Sequence, residues 1–238
     1  FYTAPPEKRG YIDSLDFVVN GQKMRWELLP DTIDVAVVWL SQPLAPGGSL
    51  VLSTPFRVKV PGNFSRLGYS RNQYQLCQWY PKPAVYDRNG WHYMPYLDLG
   101  EFYSEFGNFD VHITVPDNYQ VAASGNLLTA SEVAYLDSLS AYASNLDSFP
   151  KLPIPESSNT FKTLHYRLEN AHDFAWFCGK NYYVKQGEVT LPYSGRKVKT
   201  AVFFSRQAEY WKDAVSYVDS SVYYYSKWLG DYPYDVCT

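Results

Sequence analysis

The chain reads as mainly β: a saddle-like or sandwich-like antiparallel domain with one inserted helix, followed by a short α/β segment with a C-terminal helix. Three observations point there. Short runs of β-branched and aromatic residues, many alternating with polar ones, are punctuated by Gly, Pro, Asn and Asp. Aromatic residues are 18% of the chain, with 23 Tyr, which suits pleated, half-buried surfaces. Helical periodicity, with apolar residues three or four apart, is confined to two stretches, one from Val133 to Ala143 and one after Ser205.

Taken in order, Phe1 to Gly10 is a polar, Pro-rich entry. Tyr11 to Val19 and Met24 to Leu29 are expected to be short strands around a turn at Asn20-Gly21, a dipeptide suited to two successive positive φ angles. Asp34 to Leu40 is a β-branched strand. Gln42 to Gly48 is a loop. Ser49 to Val60 is another strand, which Pro55 confines to an edge or a bulge. Phe109, Val111, Ile113 and Val115 alternate onto one face of a strand that Pro116 stops, and Asp117-Asn118 supply turn chemistry.

Thr129-Ala130-Ser131-Glu132 has the form of a capping box, with Val133, Leu136, Leu139 or Ser140, and Ala143 recurring behind it, so a helix is expected to end near Asn145. Phe161 to Leu168, Tyr182 to Thr190 and Val198 to Phe204 are further strands, with Leu191 to Gly195 as a hairpin connection or a domain junction. From Ser205 a helix is expected to carry Trp211, Ala214, Val215, Val218, Val222, Tyr225, Trp228 and Leu229 inward, stopped by Gly230.

Bulk properties narrow the function classes. At 238 residues a substantial core is possible, with roughly 70% of the unfolded surface removed from water. A net charge of -3 argues against nucleic acid, which needs a basic face. No apolar run reaches the roughly 18 residues of a membrane span. Cys77, Cys178 and Cys237 are odd in number and far apart, which favours buried or free thiols over a disulfide framework. With Phe1 first and no signal peptide, the chain is expected to be a piece of something longer.

The densest aromatic stretch runs from Gln73 to Gly125. Its phrases QWYPKPAVYD and GEFYSEFGNFDVHITVP, followed by Val121-Ala122-Ala123-Ser124-Gly125, resemble the N-terminal β-domain of the aminopeptidase-N-like zinc metallopeptidases, the gluzincins, and above all bacterial members. Asn170 to Phe177, the long helix near the C-terminus and Trp228 to Tyr234 follow in matching order. The resemblance implies that 1–195 is the N-terminal non-catalytic β-domain lacking its first strands. It implies that 196–238 begins the catalytic domain and stops before HExxH. It further implies zinc in the parent enzyme, a peptide substrate, and a β-domain that walls the substrate cleft. The compartment stays open, with an extracytoplasmic location, periplasmic or secreted, as the reading to test.

Gluzincin chemistry needs two His one helical turn apart as zinc ligands and a Glu between them as base. His92, His112, His165 and His172 offer no HExxH and are scattered in sequence. The expectation is therefore no catalytic residue, no metal ligand and no stoichiometric zinc in this chain. In the family, a Gln shortly before the Pro-containing turn contacts the N-terminal end of the substrate; Gln73, Gln75 and Gln78 lie in that window, and Gln75 and Gln78 are the favoured candidates for that role. Their alternative is a cross-strand amide contact.

His172-Asp173 is either a general-base pair or a polar pair locking its loop. Glu101 and Glu105 are either solvated carboxylates or a glycosidase pair, which depends on a separation that sequence does not fix. A carbohydrate-binding β-sandwich is the main functional alternative, and it requires Trp79, Trp91 and Tyr93 to be exposed in a row rather than buried. The helix after Ser205 carries more apolar surface than the chain is expected to cover. A stripe of Val215, Val218, Val222 and Trp228 should be partly exposed, or covered by the missing catalytic domain or by self-association.

Overall fold

The computed structural model describes residues 4–62, 65–95 and 103–238. Over the described residues the chain is mainly β, with several antiparallel sheets and two α-helices, as its sequence predicts. It divides into two compact units, Phe1–Phe64 with Trp79–Glu105, and Ser65–Gln78 with Phe106–Thr238.

The first unit contains β1 (Tyr11–Asp13), β2 (Val18–Val19), β3 (Gln22–Lys23), β4 (Trp26–Leu29), β5 (Thr32–Val38), β6 (Leu52–Ser53) and β7 (Arg57–Lys59). After β8 (Leu67–Ser70) and β9 (Gln73–Leu76), which belong to the second unit, the chain returns for the hairpin of β10 (Val85–Asp87) and β11 (Gly90–His92). Asn20 and Gly21 do take positive φ, +48° and +83°, as the two-residue hairpin turn demands. The hairpin is shorter than expected, because only Val18–Val19 pairs with Gln22–Lys23. Ser14, at φ +62°, breaks the preceding strand, and Tyr11–Asp13 pairs with Arg57–Lys59 instead. Trp26–Leu29 pairs with β5. The expected strand over 49–60 is divided into β6 and β7 on either side of Pro55, which has no N–H to give a ladder.

The second unit continues with β12 (Gly107–Pro116), β13 (Gln120–Ala123), β14 (Asn126–Leu127), α1 (Ala130–Ser144), β15 (Phe161–Ala171), β16 (Trp176–Gly179), β17 (Tyr183–Thr190), β18 (Lys197–Phe204), a 3-10 segment at Arg206–Asp213, α2 (Ala214–Leu229) and β19 (Val236–Cys237). Its sheets are ordered β13-β16-β9-β8, β12-β15-β14 and β17-β18-β19. Ile113 and Val115 are buried, and Phe109 and Val111 half-buried, on the face the alternation predicts; Asp110, His112 and Thr114 are exposed on the other. Every residue of β13 is buried. The Gln120 amide locks the β13 end by donating to the Tyr182 carbonyl at 2.8 Å and accepting from the Tyr182 N–H at 2.6 Å.

α1 starts and ends where expected, but the capping box does not form. The Thr129 hydroxyl accepts instead from the His165 N–H at 2.8 Å, and Glu132 turns inward to pair with Lys162. β15 offers a backbone donor and a cation, so the capping residues bond to the sheet rather than to each other. Ser205 likewise makes no side-chain cap, and a 3-10 segment precedes α2. Gly230 ends α2 at φ +111°.

The apolar stripe predicted for α2 is split. Val222 is buried against Val189, Leu191 and Val198, and Val215 and Val218 pack on the sheet as well. Trp228 is 68% exposed and lies outside this face, as do Trp211, Tyr225 and Leu229. Gly187 lets the helix approach: a Cβ there would meet Thr200 Oγ1 at 2.7 Å, Asp219 Oδ2 at 2.9 Å and Val215 Cγ2 at 3.1 Å. Arg196 then ties the last segment down, donating to the carbonyls of Tyr232 and Tyr234 and to the Asp235 carboxylate. That places β19 parallel to β18. No helix among the described residues is long and apolar enough to cross a membrane.

Candidate functional site

β9 is an inner strand, paired to β8 on one side and β16 on the other. Tyr74 and Leu76 share one of its faces, and Gln73 and Gln75 share the other. Leu76 is buried, and Tyr74 stacks on Tyr69 at 5.9 Å. Burial pushes the Tyr74 hydroxyl pKa up, with Tyr119 adding to the effect. Gln75 stands opposite Gly68 and Phe177 and is half-buried. Gln78 follows the strand end, where the Cys77 N–H donates to the Arg66 carbonyl at 3.3 Å. Its φ of +55° is uncommon for a residue with a Cβ, and such conformations persist where surrounding structure imposes them. The two candidate glutamines therefore sit differently, Gln75 inside a paired strand and Gln78 at an imposed bend.

The β10–β11 hairpin presents aromatic surface. Tyr86 and Trp91 face each other across it at 4.9 Å, tilted by 57°, and are 67% and 64% exposed; Tyr93 is 52% exposed. Trp79 is half-buried, with Phe56 at 6.0 Å and Tyr80 at 5.2 Å. The sequence alternatives thus divide: Trp91 and Tyr93 are on the surface, Trp79 is half-buried, and the Tyr86–Trp91 pair is not coplanar. His92 faces the Asp87 carboxylate at 2.8 Å and meets the Tyr103 ring edge-on at 5.4 Å. The His92 contact, with the Asn89 N–H, holds the Asp87 carboxyl below its usual range.

His172 packs its ring on Phe106 at 4.0 Å, and Asp173 accepts from the Phe174 N–H at 2.8 Å. These contacts fit the loop-locking role. Glu101 lies outside the described residues, and Glu105 is exposed and accepts from the Tyr103 hydroxyl at 3.3 Å. A groove of about 390 Å³ bounded by Gly125, Arg167, Glu169, Tyr234 and Asp235 contains the Arg167–Glu169 ion pair at 2.7 Å. The three cysteines are free thiols. Burial pushes Cys178 up to about 12 and raises Cys77 and Cys237, so none is a ready nucleophile.

The grouping that sequence distance hides is on the exposed face of β12 and β15. His112 and His165 are directly opposite each other, their rings stacked at 4.3 Å and within 13° of parallel. Asp110 lies two residues before His112, hence on the same face, and its Oδ1 is 3.0 Å from His165 Nε2 and 3.4 Å from His112 Nε2. Antiparallel register brings together residues more than fifty positions apart. Alternation already put Asp110 and His112 on the outer face; only the partner strand was missing.

This trio is not the zinc site of gluzincin chemistry. Its histidines sit on two strands rather than one turn apart on a helix, and no Glu stands between them. The residues present do not fit the catalytic metal, and no step of peptide hydrolysis follows from them.

The sequence matches no protein-family model and no curated protein. Solved structures match it by fold. A mutant form of a two-domain M1 zinc metallopeptidase bound to L-arginine has a TM-score of 0.51 and 18% identity, covering 95% of this chain and 45% of that one. An M1 zinc metallopeptidase from Deinococcus radiodurans gives the same TM-score, identity and coverage. The chain therefore spans 45% of the length of these structures, and at this identity the likeness is one of fold.

Proposed function

We propose that this chain is the N-terminal part of a zinc-dependent, aminopeptidase-like metallopeptidase of bacterial type. In this reading 1–195 is a non-catalytic β-domain that walls the substrate cleft, and 196–238 opens the catalytic domain. Zinc and peptide-bond hydrolysis belong to the segment that follows. The observation that carries the reading is a fold shared over 95% of this chain with two-domain M1 zinc metallopeptidases, of which it spans 45%. The order of gluzincin-like phrases from Gln78 to Tyr234 supports it independently of the fold.

Gln75 and Gln78 would line the rim at the free N-terminus of a bound peptide. An amide suits that place, since its oxygen accepts from an ammonium and its NH₂ donates to a carbonyl. The outward aromatic side of α2, with Tyr224, Tyr225 and Trp228, would be covered by the rest of the catalytic domain or by a second copy. An extracytoplasmic parent, periplasmic or secreted, completes the proposal. The test is the parent protein expressed from its gene beyond Thr238. A downstream HExxH, at least one zinc per chain and cleavage of aminoacyl-arylamides lost on chelation are expected. A parent with no HExxH and no such activity overturns the reading.

One observation favours a second reading, a carbohydrate-binding module: Tyr86, Trp91 and Tyr93 are all more than half exposed near one hairpin. Aromatic faces of that kind are the usual surface for stacking on sugars. Retention of the chain on insoluble polysaccharides, lost in Trp91→Ala, would support it, and no retention on any glycan tried would remove it.

A further inference from the structure

We infer that Asp110, His112 and His165 form a surface binding site for a late first-row divalent cation, Zn²⁺ or Cu²⁺, clipped across β12 and β15. The three candidate ligand atoms all lie within 4.8 Å of one another. With metal–ligand bonds of about 2.0–2.1 Å, the ligand atoms of a tetrahedral zinc are roughly 3.3 Å apart. The two contacts to Asp110 Oδ1, 3.0 and 3.4 Å, bracket that edge length. The donor set is two imidazoles and one carboxylate, which suits zinc or copper and not magnesium or calcium, whose sites are built from oxygen.

The scaffold is rigid where it needs to be. β15 is the central strand of its sheet, and both backbone groups of His165 are engaged: its N–H donates to Thr129 Oγ1, and its carbonyl accepts from the Leu128 N–H. Thr114 and Thr163 share a hydrogen bond at 2.9 Å two positions further along the same face, which fixes that side of the pair. Arg167, the cation opposite Asp110, has its guanidinium drawn to Glu169 at 2.7 Å. Asp110 and His112 are exposed and His165 is half-buried, so an ion would enter from solvent and keep room for water as a further ligand. Both Nε2 atoms already approach the same carboxylate oxygen; to bind one ion the two rings turn out of their parallel stack so that their in-plane lone pairs converge on it.

The site is separate from the zinc expected downstream in the parent and replaces the expectation, drawn from histidines scattered in sequence, that this chain offers no metal ligand; the inference stands without the peptidase reading. The experiment titrates the metal-stripped chain with ZnCl₂, CuCl₂ and MgCl₂, following the melting midpoint and the imidazole NMR signals. Zn²⁺ at about 100-fold over its Kd should raise the midpoint by roughly 5–10 °C. Cu²⁺ should bind more tightly than Zn²⁺, and Mg²⁺ should do nothing. Of the four histidines, His112 and His165 should be the ones whose signals shift. His112→Ala and His165→Ala should each abolish the zinc effect, and His92→Ala and His172→Ala should leave it. No zinc-dependent shift in the unmodified chain overturns the inference, as does zinc binding that perturbs His92 or His172 and survives His112→Ala.

Discussion

The Lys162 ammonium donates to both carboxylate oxygens of Glu132, at 2.7 and 2.8 Å, where Glu132 is only 4% exposed. The pair joins α1 to β15, and Lys162 also lies 5.1 Å over the Tyr135 ring. A buried charge left alone costs far more than a pair contributes. Lys162→Met should therefore destabilise the protein by about 3 kcal/mol, and Glu132→Gln in that background should restore much of the loss. Urea denaturation midpoints of the single and double variants measure it. A Lys162→Met chain as stable as the unmodified one would show that water already solvates Glu132.

Gly125 ends the Val-Ala-Ala-Ser-Gly phrase at φ +80°, and a Cβ there would stand 2.4 Å from the Arg167 carbonyl oxygen and 2.7 Å from Leu168 Cβ. Both the backbone angle and the neighbour are fixed, since β14 pairs with β15 directly afterwards. Gly125→Ala should cost more than about 3 kcal/mol. Gly90→Ala is the control: its φ is +104°, with no atom within 4 Å, so only the backbone strain of about 1–2 kcal/mol applies. Equal melting midpoints for the two variants would remove the steric argument.

These two positions show what was legible. The position of α1, the one-sided burial of Phe109 to Val115, the turn at Asn20-Gly21 and the stop at Gly230 all follow from local rules, and the chain obeys them. The fate of Glu132 does not, because its partner is thirty residues away and a capping box is only the local alternative. The Asp110, His112 and His165 grouping was hidden for the same reason: register between β12 and β15 depends on how both strands meet the core. Of Gln75 and Gln78, sequence placed both before the Pro-containing turn, but the positive φ of Gln78 comes from tertiary constraint.

α2 illustrates a period read correctly and extended too far. Val215, Val218 and Val222 pack on the sheet, whereas Tyr224 and Trp228 pair at 5.7 Å on the exposed side. Val222→Asp should unfold the second unit, burying a charge with no partner designed for it. Trp228→Ser together with Tyr224→Ser should leave the melting midpoint within a few degrees and reduce any self-association seen by light scattering. Association that persists in the double serine variant would place the contact elsewhere.

Asp231 accepts from the Ser194 N–H at 2.7 Å and the Tyr193 N–H at 3.3 Å, joining the β17–β18 turn to the end of α2. Hydrogen bonding from Ser194 holds its carboxyl below the usual range, with Tyr193 and Arg196 adding to it. A carboxyl lowered in the folded state stabilises fully above its unfolded pKa of about 3.9, and that stabilisation is lost as pH falls through the folded value. Asp231→Asn should therefore lower stability at pH 7, where the carboxylate's contribution is fully present, and flatten the acid limb below about pH 4, where the two proteins converge. Carboxyl NMR titration giving Asp231 an ordinary midpoint would refute this.

Trp91 and Gln78 separate the two functional readings. Trp91 is 64% exposed, so Trp91→Ala should change stability by less than about 1 kcal/mol, unlike the loss of a core ring, which costs about 3–5. A stable Trp91→Ala chain that is no longer retained by a glycan the unmodified chain binds would favour the carbohydrate module. Gln78→Ala should also leave the chain folded, since one neutral hydrogen bond is worth about 1 kcal/mol. In the parent enzyme it should lower kcat/KM for peptides with a free N-terminus by roughly 10-fold, the effect of about 1.4 kcal/mol. N-acetylated peptides should lose less, because the amide would no longer have an ammonium to accept from. Equal losses for free and acetylated peptides would mean that Gln78 shapes the cleft without reading the terminus. No loss for either, in an otherwise active parent, would remove Gln78 from the rim and leave Gln75 to be tested in the same way.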